Sequence, residues 1–105
     1  MKFKLVKKKV EATSTVSFFF LSNEKFDFLP GQFCYLTLPN LNYPDERGNT
    51  RHFTIASSPT ENLIQITTRI RQESGYKKTL DEIKTGVEIE ARAPFGSFVF
   101  DKEGG

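Results

Sequence analysis

Tryptophan is absent from this 105-residue chain, and cysteine, histidine and methionine occur once each. Cys34 therefore has no partner for an internal disulfide, and one histidine beside one cysteine offers no cluster at metal-ligand spacing. No metal site is expected. Apolar runs stop at four residues, as in Phe18-Phe19-Phe20-Leu21, where a membrane helix needs roughly 20. No membrane insertion is expected either. Met1-Lys2-Phe3-Lys4 is charged with no apolar stretch behind it, so the start does not read as a secretory signal. Together with the lone thiol this points to a reducing, cytoplasmic setting. Charge of one sign is scarce too. Fifteen Lys and Arg against 13 Asp and Glu leave a net +2 at pH 7, too little to predict a polyanion partner.

Hydrophobic residues make up 37% of the chain and charged residues 27%, which excludes a disordered low-complexity sequence. The length suits one domain, residues 1–105. Surface scaling gives about 17,000 Å² exposed when unfolded and about 6,000 Å² when folded, enough burial for a core without metal or disulfide staples. Eleven Phe and three Tyr favour pleated surfaces, so the core is expected to be β-rich.

Hydrophobic periodicity gives six strands and one helix. In residues 2–10, Phe3 and Leu5 alternate with lysines, and the shift at Val6 predicts a bulge. Lys7-Lys8-Lys9 reads as a solvated edge that discourages strand pairing. Residues 15–21 follow a Thr13-Ser14 turn and put Val16, Phe18 and Phe20 on one face. Phe28-Leu29-Pro30-Gly31 is a turn, since Pro fixes φ and Gly permits positive φ. Residues 33–38 form a mostly apolar strand, in which Cys34 reads as a small core residue rather than a reactive thiol. Residues 40–50 are polar and hold Pro44 and Gly48, a loop long enough for a small barrel to be suspected of function.

The second half is clearer. Residues 51–56 form a strand ended by Ser57-Ser58-Pro59, and residues 63–71 put Ile64, Ile66, Thr68 and Ile70 on one face. Residues 76–83 are helical, with Leu80 and Ile83 sharing a face and Gly86 as the stop. Val87, Ile89, Ala91 and Ala93 alternate with Glu88, Glu90 and Arg92 in a half-buried strand. Closing the sheet removes its exposed edges. The expected fold is all-β, a six-stranded antiparallel Greek-key barrel with one short helix.

Three segments carry chemistry. In Arg51-His52-Phe53-Thr54 a guanidinium suited to phosphate is followed by a ring on the same strand face and then a hydroxyl. That set describes a site for a phosphorylated aromatic cofactor, and equally a plain strand with a surface Arg, a core Phe and a polar end. Strict alternation puts Thr54 opposite Arg51 and Phe53, so all three reach one ligand only if the strand twists or ends there. His52, facing away from Arg51, reads as a barrel or surface residue rather than a base. In Thr67 to Leu80 a strand runs through Ser74, a reasonable N-cap, and Gly75 into a helix whose first N–H groups and Lys77 suit a phosphate. A capped helix with solvated lysines reads the same way. Pro94-Phe95-Gly96-Ser97-Phe98 is by itself a Pro/Gly turn before a short aromatic strand.

In order and together, Gly31-Gln32-Phe33, Arg51-His52-Phe53-Thr54, Ser74-Gly75-Tyr76-Lys77 and Ala93-Pro94-Phe95-Gly96-Ser97-Phe98 resemble the flavin-binding barrel of the ferredoxin–NADP reductase superfamily. The resemblance covers essentially the whole chain. It implies that Arg51 pairs with the flavin phosphate or pyrophosphate and that Phe53 lies against the isoalloxazine ring. Thr54 would offer its hydroxyl near flavin N5, which takes the hydride, and is the catalytic candidate. The Ser74-Gly75-Tyr76-Lys77 turn would hold the pyrophosphate, and Thr68 and Ile70 would line the flavin by side chain or backbone. Phe53 stands where the family usually has Tyr, so a phenolic hydrogen bond is lost. Thr54 stands for the usual Ser, with a stiffer side chain.

The function so implied is the flavin-binding domain of an NAD(P)H-dependent oxidoreductase, with FAD, or FMN, as cofactor. The family's nicotinamide-binding domain would begin about where Asp101-Lys102-Glu103-Gly104-Gly105 ends the chain, and no Gly-rich dinucleotide fingerprint precedes it. NAD(P)H and an electron acceptor are therefore expected through a further domain or a partner subunit, and this stretch alone is expected to be catalytically incomplete. The Gly-Gly end reads as the start of a linker; a lone flavin module is the other option. From another class, a small barrel with aromatics and lysines could bind single-stranded nucleic acid, against which the near-balanced charge argues. A barrel that has lost its ligand and serves as an interaction scaffold is the third reading.

Overall fold

The computed structural model describes residues 1–24, 31–56 and 63–95, and the side chains of all of these but Pro94 and Phe95. Six strands and a helix follow one another: β1 (Lys2–Ala12), β2 (Thr15–Ser22), β3 (Phe33–Thr37), β4 (Thr50–Thr54), β5 (Ile64–Arg69), α1 (Gly75–Glu82) and β6 (Glu88–Phe95). They form a single antiparallel sheet in the order β4-β3-β6-β1-β2-β5. The connections β2→β3 and β5→β6 each skip two strands, which is the Greek-key crossover. The sheet curls so that its outer strands meet. Ala56 N, just past β4, donates to Gln65 O on β5 at 2.8 Å, but no β4–β5 ladder follows. The barrel has a seam.

Alternation decides what faces inward. Phe3, Leu5, Phe18, Phe20, Leu36, Ile66 and Ile89 are fully or almost fully buried, and Cys34 lies among them. Burial pushes the Cys34 thiol up to about 12, so it stays protonated and behaves as a small apolar side chain. The bulge at Val6 is present as a register shift between Leu5 and Lys7. It keeps Phe3 and Leu5 inward while Lys7 turns out over the Phe19 ring. Against the expectation of a solvated edge, the lysine run pairs with β2 on one side, because the bulge turns its side chains outward; on the other side β6 pairs with Lys2, Phe3 and Lys4. Lys8 Nζ donates to Asp81 O at 2.6 Å, at the carbonyl end of α1, where a cation is favoured.

Two expectations change. The final strand begins at Glu88, and Val87 is exposed: its N–H donates to Lys84 O and its carbonyl accepts from Leu5 N, a turn that sets its direction. The helix runs over Gly75–Glu82 where residues 76–83 were expected, and Gly86 is not its stop, because Ile83 already turns extended (φ −68°, ψ 146°) and packs on the core. Gly86 takes φ 95° in the turn beyond and donates to Leu5 O. The turns expected at Phe28-Leu29-Pro30 and Ser57-Ser58-Pro59 lie outside the described residues.

Helix α1 closes one end of the barrel. Tyr76 and Leu80, four residues apart and so on one face, are both fully buried. The loop of residues 40–50 is fastened to that helix. Asn42 N donates to Thr79 Oγ1 at 3.0 Å and Asn42 Nδ2 to Glu82 Oε1 at 3.0 Å. Tyr43 OH donates to Glu82 Oε2, and Lys78 Nζ sits 4.3 Å from the Tyr43 ring centre.

Candidate functional site

Two adjoining clefts open where the barrel fails to close, and Arg47, Arg51 and Lys77 line both. The smaller, about 300 Å³, follows the seam, with Arg51 to Thr54 on one bank and Thr67 and Thr68 on the other. Past the Ala56–Gln65 hydrogen bond, a continued ladder would set Thr54 opposite Thr67; the strands part instead. The larger cleft, about 430 Å³, lies between the 44–47 stretch of the loop and the start of α1, and adds Asp45, Arg71, Glu73 and Ser74.

Arg51 and Phe53 point inward along β4 while His52 and Thr54 are exposed. Yet Arg51, Phe53 and Thr54 border one cleft, because β4 ends at Thr54 and both of its faces meet the open seam. Phe53 rests on Tyr76, ring centres 5.9 Å apart. His52 packs edge-on to Phe33 at 5.6 Å and Tyr35 at 6.1 Å.

Arg51 is only 9% exposed. Its Nη2 donates to Asp45 Oδ1 at 2.6 Å, its guanidinium carbon lies 5.2 Å from the Tyr76 ring centre, and its Nε finds no hydrogen-bond partner among the described residues. Asp45 gathers four donors. Oδ1 also accepts from Arg47 N at 2.9 Å, and Oδ2 accepts from Tyr76 N at 2.9 Å and from Ser74 Oγ at 3.4 Å. These donors, the Tyr76 amide first, then the Arg47 amide and the Arg51 guanidinium, hold the Asp45 carboxyl at about 2 against an ordinary 3.8.

Ser74 is the N-cap, accepting from Lys77 N at 3.1 Å. Lys77 has its ammonium pulled down, first by burial and then by Arg71, Arg51, Arg47 and Arg69. Cations therefore crowd this side, and Glu46 and Glu73 also border the larger cleft. Among the described residues no His, Cys, Asp or Glu cluster suits a metal ion, and no helix is long and apolar enough to cross a membrane.

Of the residues singled out in the sequence, Arg51, Phe53, Thr54, Thr68, Ser74 and Lys77 line the clefts. The other three do not. Tyr76 is fully buried and donates its hydroxyl to Leu36 O at 2.7 Å. Gly75 is pressed against the loop, where an added Cβ would lie 2.1 Å from Pro44 O. Ile70 packs on the core beyond the end of β5. Asp45, Arg47, Thr67 and Arg71 were missed. The first two lie in the loop flagged by its length, and Arg71 stands in a quoted motif without a role. Of Ala93-Pro94-Phe95-Gly96-Ser97-Phe98, Gly96 onward lies outside the described residues.

Residues 2–100 match the family described as the oxidoreductase FAD-binding domain. The chain belongs to that family. No curated protein sequence matches it significantly. Solved structures of the same fold include the cytochrome P450 reductase of Amycolatopsis, 19% identical with a TM-score of 0.73 over 93% of this chain and 29% of that one. The ferredoxin-NADP+ reductase of Plasmodium falciparum is 22% identical with a TM-score of 0.71, covering 92% and 38%. That of Neisseria gonorrhoeae, with bound FAD and NADP, is 16% identical with a TM-score of 0.68, covering 89% and 38%. This FAD-binding domain thus spans well under half of each reductase.

Proposed function

We propose that the two clefts together hold FAD, and that the domain serves an NAD(P)H-dependent oxidoreductase passing electrons from a nicotinamide to an acceptor. The observation that carries this reading is Arg51, nine-tenths buried at the junction of the clefts with its Nε unpartnered among the described residues. A buried donor left open costs about 1–3 kcal/mol, and an acceptor with phosphate geometry relieves it. The residue set fits a flavin nucleotide: cations around the larger cleft, a ring and hydroxyls along the seam.

Bound flavin supplies the hydride and electron chemistry. The chain's own residues bind and orient it. Arg51, Lys77 and Ser74 would hold the phosphates, Phe53 would lie against the ring system, and the exposed Thr54 would offer its hydroxyl near N5. Thr68 lines the seam, while Gly75 and Tyr76 shape the wall behind. FMN needs the same phosphate and ring contacts and is the alternative cofactor. A nucleic-acid ligand has no observation in its favour: the net charge is +2 and the family binds FAD.

A nicotinamide must be held close to the flavin, and such positioning is worth several orders of magnitude in rate. The nicotinamide site and the acceptor are assigned to a further domain or a partner subunit. The test is NAD(P)H oxidation by the 105-residue chain with saturating FAD, alone and joined to a nicotinamide-binding domain. Negligible turnover alone and activity when joined is expected; turnover alone on the order of 10 s⁻¹, an ordinary enzyme rate, contradicts it.

A further inference from the structure

The geometry points to Asp45 as a positioning residue of the phosphate subsite: its carboxylate ties the Arg51 guanidinium, the Arg47 amide and the first turn of α1 into one wall against which a flavin phosphate binds. The inference deepens the FAD reading above and rests on it.

An anion at a helix start competes for the same donors as a phosphate, so Asp45 has two conceivable roles. It either yields its place to the ligand or stays and shapes the place beside it. The contacts favour staying. Both oxygens are saturated, by Arg51 Nη2 and Arg47 N on one and by Tyr76 N and Ser74 Oγ on the other. Its side chain is 7% exposed. The loop that carries it cannot swing freely, because Asn42 is bonded to Thr79 and Glu82, and the Pro44 carbonyl lies where a Cβ on Gly75 would be.

With Asp45 in place, Arg51 has a counter-charge, and its Nε is buried without a hydrogen-bond partner among the described residues, while the residue lines both clefts. Attraction for a phosphate then comes from Arg47, Arg71 and Lys77 around the 430 Å³ cleft. Burial first, and then repulsion from Arg71, Arg51, Arg47 and Arg69, lowers the proton affinity of Lys77. Among the described residues the Arg71 side chain has only a distant, exposed contact with Glu73 at 3.8 Å.

The test compares FAD and riboflavin affinities, by flavin fluorescence quenching, in the unmutated chain and in Asp45→Asn. Freed from its anchor, Arg51 loses its orientation, so FAD binding should fall about tenfold or more, the worth of one charged hydrogen bond, with riboflavin unchanged. Tighter FAD binding, an equal loss for both ligands, or no change in their ratio overturns the inference while the flavin reading stands. Binding of neither ligand to the unmutated chain overturns both. If Asp45→Asn does not fold, the Asp45 carboxyl of the unmutated chain is followed by carbon NMR as pH falls. A midpoint that stays at about 2 with FAD bound supports the inference, and a midpoint at or above the ordinary 3.8 means that the phosphate has taken its donors and displaced it.

Discussion

A guanidinium nine-tenths out of water, as in Arg51, is tolerable only beside a hydrogen-bonded counter-charge, and Asp45 supplies one at 2.6 Å. Arg51→Ala should therefore act twice. It removes a charged contact to the flavin phosphate, weakening FAD by roughly 1.5–3 kcal/mol with riboflavin spared, and it strips Asp45 of a partner, lowering the thermal midpoint. Paired titrations of the two flavins beside a melting curve read both effects. Arg51→Lys should recover only part of the affinity, since an ammonium lacks the planar fork. Asp45 contributes to the acid limb of stability, beside Glu82 and Glu90, whose carboxyls are also held down by their hydrogen bonds. The Asp45 carboxyl sits at about 2 in the folded chain against an ordinary 3.8. The stability it contributes is thus complete above about pH 4 and drains away as pH falls toward 2. Chemical unfolding measured across that window should show a slope that Asp45→Asn flattens.

At the scale of elements, the loop of residues 40–50 and α1 act as one unit because their backbones touch. A Cβ on Gly75 would meet Pro44 O at 2.1 Å and Tyr43 O at 2.6 Å, and neither backbone atom can retreat without moving the loop. Gly75→Ala should cost about 1–3 kcal/mol of stability, as overpacking does. It should also weaken FAD more than riboflavin, since the larger cleft lies between these two elements; denaturation and flavin titration together test this. Much at this scale was legible in the sequence. Local cues mark the β1 bulge at Val6 and the Ser74 cap, and both are present. The length of residues 40–50 marks the loop as special. Its purpose was hidden, because Asp45 gains meaning only from Tyr76 and Arg51, 31 and 6 positions away. Val87 misled because alternation ignores the turn that turns it outward.

Across the whole molecule, the candidate site is the place where a barrel fails to close. Six strands in Greek-key order bring β4 and β5 together at Ala56 and Gln65, and their divergence beyond that point makes the cleft that Arg51, Phe53 and Thr54 share. Antiparallel strands and a closed-sheet tendency could be read from periodicity; a seam could not, since it depends on long-range pairing of the two outermost strands. The same seam resolves the alternation problem at Thr54, which needed the strand to end there. Everything proposed for this FAD-binding domain rests on a flavin occupying that groove, and titration of the purified 105-residue chain with FAD tests it most directly. Quenched flavin fluorescence and a shifted absorbance band, saturating at micromolar to about millimolar FAD and weakened by Arg51→Ala, are predicted; unchanged spectra with both FAD and FMN up to about millimolar would contradict it.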